Sequence, residues 1–455
     1  MDERMSHMTI PGLANEQPTS KRKLMIVLAL AIPAIIENLL QTLVGFVDTL
    51  FVAKLGINEV AAVGVVNAIL AVYLAIFMAL GIGTSSLIAR SIGAGDLERA
   101  KKVAKESTMV AVGAGILFGL ITIFFAEPLL RIMGAEPQVL ADGAVYFRIV
   151  AIPSIFISLM TIFGSILRAA GDTKTPMKVS FWVNIIHIAL DYVLIFGIAG
   201  VGGLGIAGAA WATVIVRFIG TVALYAYIRK SKVSFVFNDL AFSKEFSMPM
   251  LQISIPAAVE RLIMRLGQVL YFGLIIKIST ETYAAHVIAG NIEIFSYMPG
   301  YGLAVAATTL VGQQVGAKHH HEAYSYGMIT TGVAIVIMTL IGILLFIVSP
   351  WLATWFTSDR GVIDMVVTAL RIDAFAQPAL AVGLVLAGAL QGAGDARSPM
   401  YSTAIGMWLI RVLGVYLMCL YFDMGIAGVW LSIAFDLWVR AVFLFIQFKK
   451  KVTLN

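Results

Sequence analysis

Residues 167–177 read LRAAGDTKTPM and residues 390–400 read LQGAGDARSPM. The same Gly-Asp turn, with proline four positions after the aspartate, therefore occurs twice, 223 residues apart (400 − 177). Working outward, IPAIIENLL (32–40) returns as IPAAVERLI (255–263) at that shift, which sets Glu37 on Glu260. Arg148 falls on Arg371, and Gly93-Ala94 on Gly316-Ala317. GIAGAAW (205–211) meets GIAGVW (425–430) at a shift of 220, because the preceding connection is shorter. One shift held from Pro33 to Met177 marks a duplicated architecture.

The composition says where that architecture lives. The chain is 60% hydrophobic and 13% charged, against roughly half and a quarter in soluble domains. Apolar stretches of bilayer-spanning length recur throughout. Punctuation by Gly, Pro and charge predicts twelve spans: 24–53, 58–89, 101–125, 137–168, 175–197, 205–229, 247–277, 282–313, 322–348, 362–391, 397–421 and 425–448. The fold class is an all-α polytopic membrane protein of two pseudo-symmetric six-helix bundles. An even helix number sends both halves into the membrane in the same sense, related by an axis along its normal. The expected domains are a cytoplasmic tail (1–23), an N-lobe (24–229), a linker (230–246), a C-lobe (247–449) and a C-terminal tail (450–455).

Charge sets the orientation. With a cytoplasmic N-terminus, the even-numbered connections gather Arg90, Arg99, Lys101, Lys102, Lys105, Arg168, Lys174, Lys178, Arg229, Lys230 and others. The opposite side holds only Lys54, Arg131, Lys277 and Arg360. That bias predicts a multi-pass protein of the cell membrane with both termini cytoplasmic. The net charge of +6 reads as topology rather than nucleic-acid binding. Lys21 to Lys23 lead straight into a span too long for a cleavable signal, which is expected to remain as helix 1. The single cysteine, Cys419, excludes a disulfide framework.

Ionisable groups within spans are costly and point to function. The repeat sorts them. Glu37/Glu260 and Arg148/Arg371 occur in both halves and read as structural pairs. Asp48 instead falls on Tyr271, and Asp191 on Gly414, so these acids break the symmetry. In NIIHIALD, Asn184, His187 and Asp191 share one helical face. Desolvation favours the neutral form of a carboxylate, and a second carboxylate beside it adds to the effect. Such a pair titrates as a unit. Neutral, it can move through a cycle; ionised, it attracts an organic cation. His187 offers a proton relay. Competition of proton and cation for one site is the minimum machinery of antiport.

Some motifs stay unpromoted. AAGDTKTP and GAGDARSP lack the strand–loop–helix setting of a phosphate cradle, so Asp172 and Asp395 read as turn or cap residues. HHHE (319–322) reads as a solvated run rather than a metal site. A membrane-embedded enzyme would need a metal cluster, a paired-acid motif or a nucleophile–base pair, and none stands at useful spacing.

At this point the chain resembles a known family. VDTLFVAKLG closing helix 1, LRAAGDTKTPM and its echo LQGAGDARSPM look like the multidrug and toxic compound extrusion (MATE) transporters. IPAIIENLLQTLVGFVDTLFV and NIIHIALDYVLIFG suggest the DinF branch. Over residues 20–450 the resemblance implies a V-shaped fold and export of cationic or lipophilic compounds against protons or sodium. It implies that Asp48 and Asp191 are the helix-1 and helix-5 acids. Asn184 and Gln41 match neighbouring polar positions, and Pro33 matches a helix-1 proline whose bending is linked to protonation. His187 and Ala209 depart from the family pattern by removing oxygen ligands from a sodium site, and the carboxylates of the NorM branch's second lobe have no clear counterparts. Protons are therefore the expected coupling ion, with sodium the alternative. No organic cofactor, metal or nucleic acid is implied, and a monomer is expected. A flippase of the same superfamily, moving a lipid-linked anionic headgroup, would favour arginines over acids in its cleft.

Overall fold

The computed structural model describes residues 19–198, 201–236 and 243–453. Residues 1–18 of the expected N-terminal tail, the middle of the linker with Asp239, and the last two residues lie outside the described residues. Among the described residues the regular structure is helical apart from one two-residue antiparallel pair, β1 (Gly197–Ile198) and β2 (Val201–Gly202).

The first half comprises α1 (Ser20–Ala53), α2 (Ile57–Gly93), α3 (Leu97–Ile132), α4 (Pro137–Ala151), α5 (Ser154–Ala169), α6 (Lys174–Phe196) and α7 (Ile206–Ile228). The second comprises α8 (Lys244–Ile278), α9 (Thr280–Gly316), α10 (His320–Ala353), α11 (Arg360–Gly392), α12 (Arg397–Tyr421) and α13 (Gly425–Thr453). Ten of these helices are long and apolar enough to cross a membrane. The span expected at 137–168 is a pair, α4 and α5, bent by 48° around Pro153, where a ring without an N–H interrupts the ladder. At 35 residues α8 is long enough, but Glu260, Arg261 and Arg265 interrupt its apolar run. The helices also reach beyond the expected domain borders: α1 takes in Ser20–Lys23, α8 begins at Lys244, and α13 runs to Thr453.

Among the described residues, four apolar cores hold the bundle. Two cross the expected lobe border at equivalent places. Val27 and Ala31 of α1 are buried with Leu303, Ala306 and Leu310 of α9. Met250 and Ala257 of α8 are buried with Ile88, Ile166 and Val103 of the first half. Val27 and Met250 stand 223 positions apart (250 − 27). Each half thus lends the start of its first helix to the other. Small residues allow backbones to close in, as Gly115 does on Ile155 and Gly119 on Ile152. The outer surface carries exposed Phe124, Trp182, Val269 and Ile347, a lipid-facing exterior.

The repeated turns follow their chemistry. Gly171 (φ +89°) and Gly394 (φ +93°) adopt the left-handed conformation that a Cβ disfavours. Asp172 accepts from the Thr175 N–H at 2.9 Å, and Asp395 from those of Arg397 and Ser398 at 3.1 Å. Both are helix-start residues. HHHE is not wholly solvated: Glu322 is buried and pairs with Lys23 at 2.8 Å.

Candidate functional site

Helix α6 packs across the end of α1 and brings Asp191 to Asp48. The two carboxyls adjoin closely enough for a proton on one to hydrogen-bond the other. Asp191 is fully buried. Both its oxygens, with Oδ1 of Asp48, are buried without a hydrogen-bond acceptor's usual donor among the described residues. His187 lies one turn back on α6, its Nε2 3.5 Å from Asp191 Oδ2 and 3.3 Å from Thr213 Oγ1 on α7. Thr213 gives its own proton to the Ala209 carbonyl at 3.0 Å. With that proton on the Ala209 carbonyl, the Thr213 oxygen is an acceptor for His187 in the tautomer that carries its proton on Nε2. Asn184 completes the face with a buried, unpartnered Nδ2.

Two further residues belong to this cluster. Arg217 of α7 lies within electrostatic reach of Asp48 and Tyr146, and its Nη1 is buried without a partner. Tyr146 of α4 is buried and sits beside Asp48, Asp191 and Thr213. The sequence reading linked neither residue to the acids. Arg217 has its own asymmetry signal, since its partner at the shift of 220 is Leu437. With both acids ionised the cluster holds two negative charges and one positive. One bound proton makes it neutral.

Gln41 is exposed two turns before Asp48 on α1, outside this cluster. Pro33 is buried, and α1 runs helically through it.

The repeat-related charges divide. Buried Glu37 accepts from Arg168 at 3.0 and 3.2 Å. Glu260 accepts from Gln391 at 3.3 Å and Thr403 at 3.2 Å. Arg168 and Gln391 are themselves 223 apart, so one joint recurs with an amide in place of the cation. Arg148 and Arg371 form no such joint. Arg148 is exposed and pairs with Glu127 at 3.0 Å, while exposed Arg371 lies 5.0 Å from the centre of the Phe346 ring. Their long stems carry the guanidiniums outward, so they are surface charges and not twin internal ones.

The second half has buried polar groups that the sequence reading did not assemble. Asp373 accepts from Gln377 at 2.6 Å, and Gln377 also donates to Ser296 at 3.0 Å. Glu293 faces Asp373 and Arg411. Arg411 and Arg440 both grip Asp436, at 2.8 and 2.9 Å. Glu293 falls on Leu70 and Asp373 on Val150, the same asymmetry that singles out Asp48. Among the described residues, no group of His, Cys, Asp and Glu is disposed to hold a metal.

Two repeat-related helical bundles in a membrane, one enclosing an acid pair and an arginine, define a multi-pass transporter. The MatE family model matches residues 33–193 and 256–417, the two copies of the repeat. The chain belongs to that family, the MATE transporters, which move solutes and are not enzymes. It is 32% identical to the probable multidrug resistance protein NorM of Thermotoga maritima, covering 94% of this chain and 91% of that one. It is 31% identical to the uncharacterized transporter YisQ of Bacillus subtilis, covering 92% and 93%. Among solved structures, a MATE bound to MaD3S superposes with a TM-score of 0.89 at 24% identity, over 95% of this chain and 96% of that one. A transporter of the MOP superfamily from Pyrococcus furiosus, whose binding pocket is described as reversed in polarity, gives the same score and identity over 96% and 99%.

Proposed function

We propose that this transporter exports cationic or lipophilic organic compounds by antiport with protons, and that Asp48 and Asp191 form the coupling pair. The observation that carries the reading is the charge balance of the buried cluster. Arg217 offsets one carboxylate, leaving one proton's worth of charge to be exchanged. With a proton the cluster is neutral and can be carried through a conformational change. Without it, the cluster holds one net negative charge, which a cation can neutralise. Proton and substrate then compete, and inward release of one permits outward carriage of the other.

His187 and Ala209, standing where side-chain oxygens would add ligands, leave fewer hard donors for a sodium ion. The multidrug naming of the T. maritima relative supports the substrate class. The acid excess of this cluster, two carboxylates to one arginine, suits a cation rather than an anionic headgroup. The reading includes a monomer with both termini in the cytoplasm, as the lysine and arginine bias indicates.

The test uses purified protein in liposomes with an acidic interior, following proton efflux when a lipophilic cation is added. Release that needs no sodium and is lost in Asp48→Asn is the expected result. A sodium requirement overturns the choice of ion, and full release by Asp48→Asn overturns the role of the pair.

A further inference from the structure

At the end of the molecule where α2 and α9 terminate, the repeat is broken in a second way. Arg90 of α2 and Gln313 of α9 are repeat partners (313 − 90 = 223). Gln313 reaches across to the other half and donates to the Ala169 carbonyl at 3.4 Å. Arg90 also reaches across, over the Gly394 turn, where an added Cβ would meet its Nη1 at 2.6 Å. It finds no carbonyl: no hydrogen bond or ion pair of Arg90 is formed among the described residues. Its guanidinium instead lines a cavity of about 310 Å³ together with Gln252, Asp395, Arg397 and Lys451.

The charge of this cavity is unbalanced. Among its described lining residues, the guanidiniums of Arg90 and Arg397 meet one carboxylate, Asp395, which Lys451 also pairs with. That carboxylate is engaged by the Arg397 and Ser398 N–H groups at 3.1 Å and the Ser398 hydroxyl at 2.6 Å, with Lys451 Nζ at 3.7 Å. The equivalent place in the first half is not basic in the same way. Lys451 falls on Ser231, Gln252 on Ala29 and Arg90's counterpart is the amide of Gln313. Two planar guanidiniums on a polar notch suit the tetrahedral oxygens of a phosphate. The Lys/Arg bias places the notch at the cytoplasmic face, where anionic headgroups lie.

We propose that this notch binds a phosphate group, from an anionic lipid headgroup or free in solution, and that the bound phosphate ties the two halves together. Arg90 comes from the first half and every other basic group from the second. An anion held between them stabilises the conformation in which the halves meet at this end, and its departure removes a link that must open in alternating access. The site is separate from the Asp48–Asp191 cluster, and its test does not depend on proton coupling.

The experiment uses the full chain in detergent, titrated in one arm with inorganic phosphate and in the other with short-chain phosphatidylglycerol, with phosphatidylcholine as the neutral control. Binding is read by native mass spectrometry, and opening by hydrogen exchange at the ends of α2 and α9. Arg90→Gln copies the residue present at Gln313, so the fold is expected to tolerate it, and Arg397→Gln is a second variant. Wild type should bind one phosphate or one phosphatidylglycerol, with slower exchange at both helix ends. Each variant should bind about tenfold more weakly, the loss of one charge-assisted contact. Binding by phosphate and lipid alike identifies the phosphate itself as the ligand; binding by the lipid alone assigns the site to the headgroup. Equal affinity in wild type and both variants overturns the site, and binding without slower exchange overturns the bridge.

Discussion

Gly93 and Gly316, repeat partners, are seated reciprocally on each other's helices. A Cβ on Gly93 would overlap the carbonyl oxygen of Gln313, and one on Gly316 would overlap that of Arg90. Ser86 donates to the Gly392 carbonyl at 3.2 Å, while its partner Thr309 donates to the Arg168 carbonyl at 3.1 Å. The two halves therefore close on one another through backbone contact that leaves no room for a methyl group. Gly93→Ala and Gly316→Ala should each keep the helical content but prevent this closure, lowering transport at least about tenfold. Circular dichroism and liposome efflux check the two parts. Wild-type transport by both variants would show that the contact is not needed in the cycle.

Arg217 gives the acid pair its balance, and its removal has a signed consequence. Arg217→Gln leaves two carboxylates with no compensating cation, so the cluster keeps protons to higher pH. Cation-driven proton release should then move to more alkaline conditions, about one pH unit or more, and fall most at the acid end. Release measured in liposomes between pH 6 and 8.5 decides this. An unmoved profile would place Arg217 outside the coupling.

Much of this arrangement is legible in the sequence, and the reason is periodicity. The repeat shift alone pairs Glu37 with Glu260, and helical spacing alone sets Asn184, His187 and Asp191 on one face. The meeting of Asp48 with Asp191 follows from asymmetry within that repeat. What sequence hides is where long side chains end. Arg148 and Arg371 sit at equivalent positions, yet their guanidiniums leave the interior, and Arg217 turns toward acids 26 or more positions away along the chain. The break between α4 and α5 at Pro153, and the widened i→i+5 turns over Ile405–Val412 that carry Arg411, have no apolar-period signature. Packing decides both.

Asp436 is held by two arginines in an apolar core with Trp430 and Leu437. Removing the carboxylate charge leaves Arg411 and Arg440 facing each other unpaired. Breaking a buried ion pair from one side costs about 3–5 kcal/mol, so Asp436→Asn should lower the unfolding temperature markedly and reduce the yield of folded protein. Thermal unfolding in detergent measures this. Unchanged stability would mean that the triad is hydrated in the native protein.

Asp373 and Glu293 form a buried acid pair of their own, but their surroundings differ from those of Asp48 and Asp191. Gln377 already donates to Asp373 and is anchored by Ser296, and Arg411 lies between Glu293 and the Asp436 triad. An acid whose Oδ2 is held by an amide that also bonds the neighbouring helix is suited to fixing α9 against α11, with Oδ1 left unpartnered. Asp191, whose nearest donor is the His187 Nε2 at 3.5 Å, is less firmly held and is suited to exchanging its proton. Asp373→Asn keeps a hydrogen-bonding shape at this joint, so it should retain proton release driven by the cation, within about threefold of wild type, while Asp48→Asn loses it. Liposome efflux on both variants in parallel gives the answer. Equal loss in the two would mean that each half carries a proton, and the number of protons released per cation would then rise from one to two.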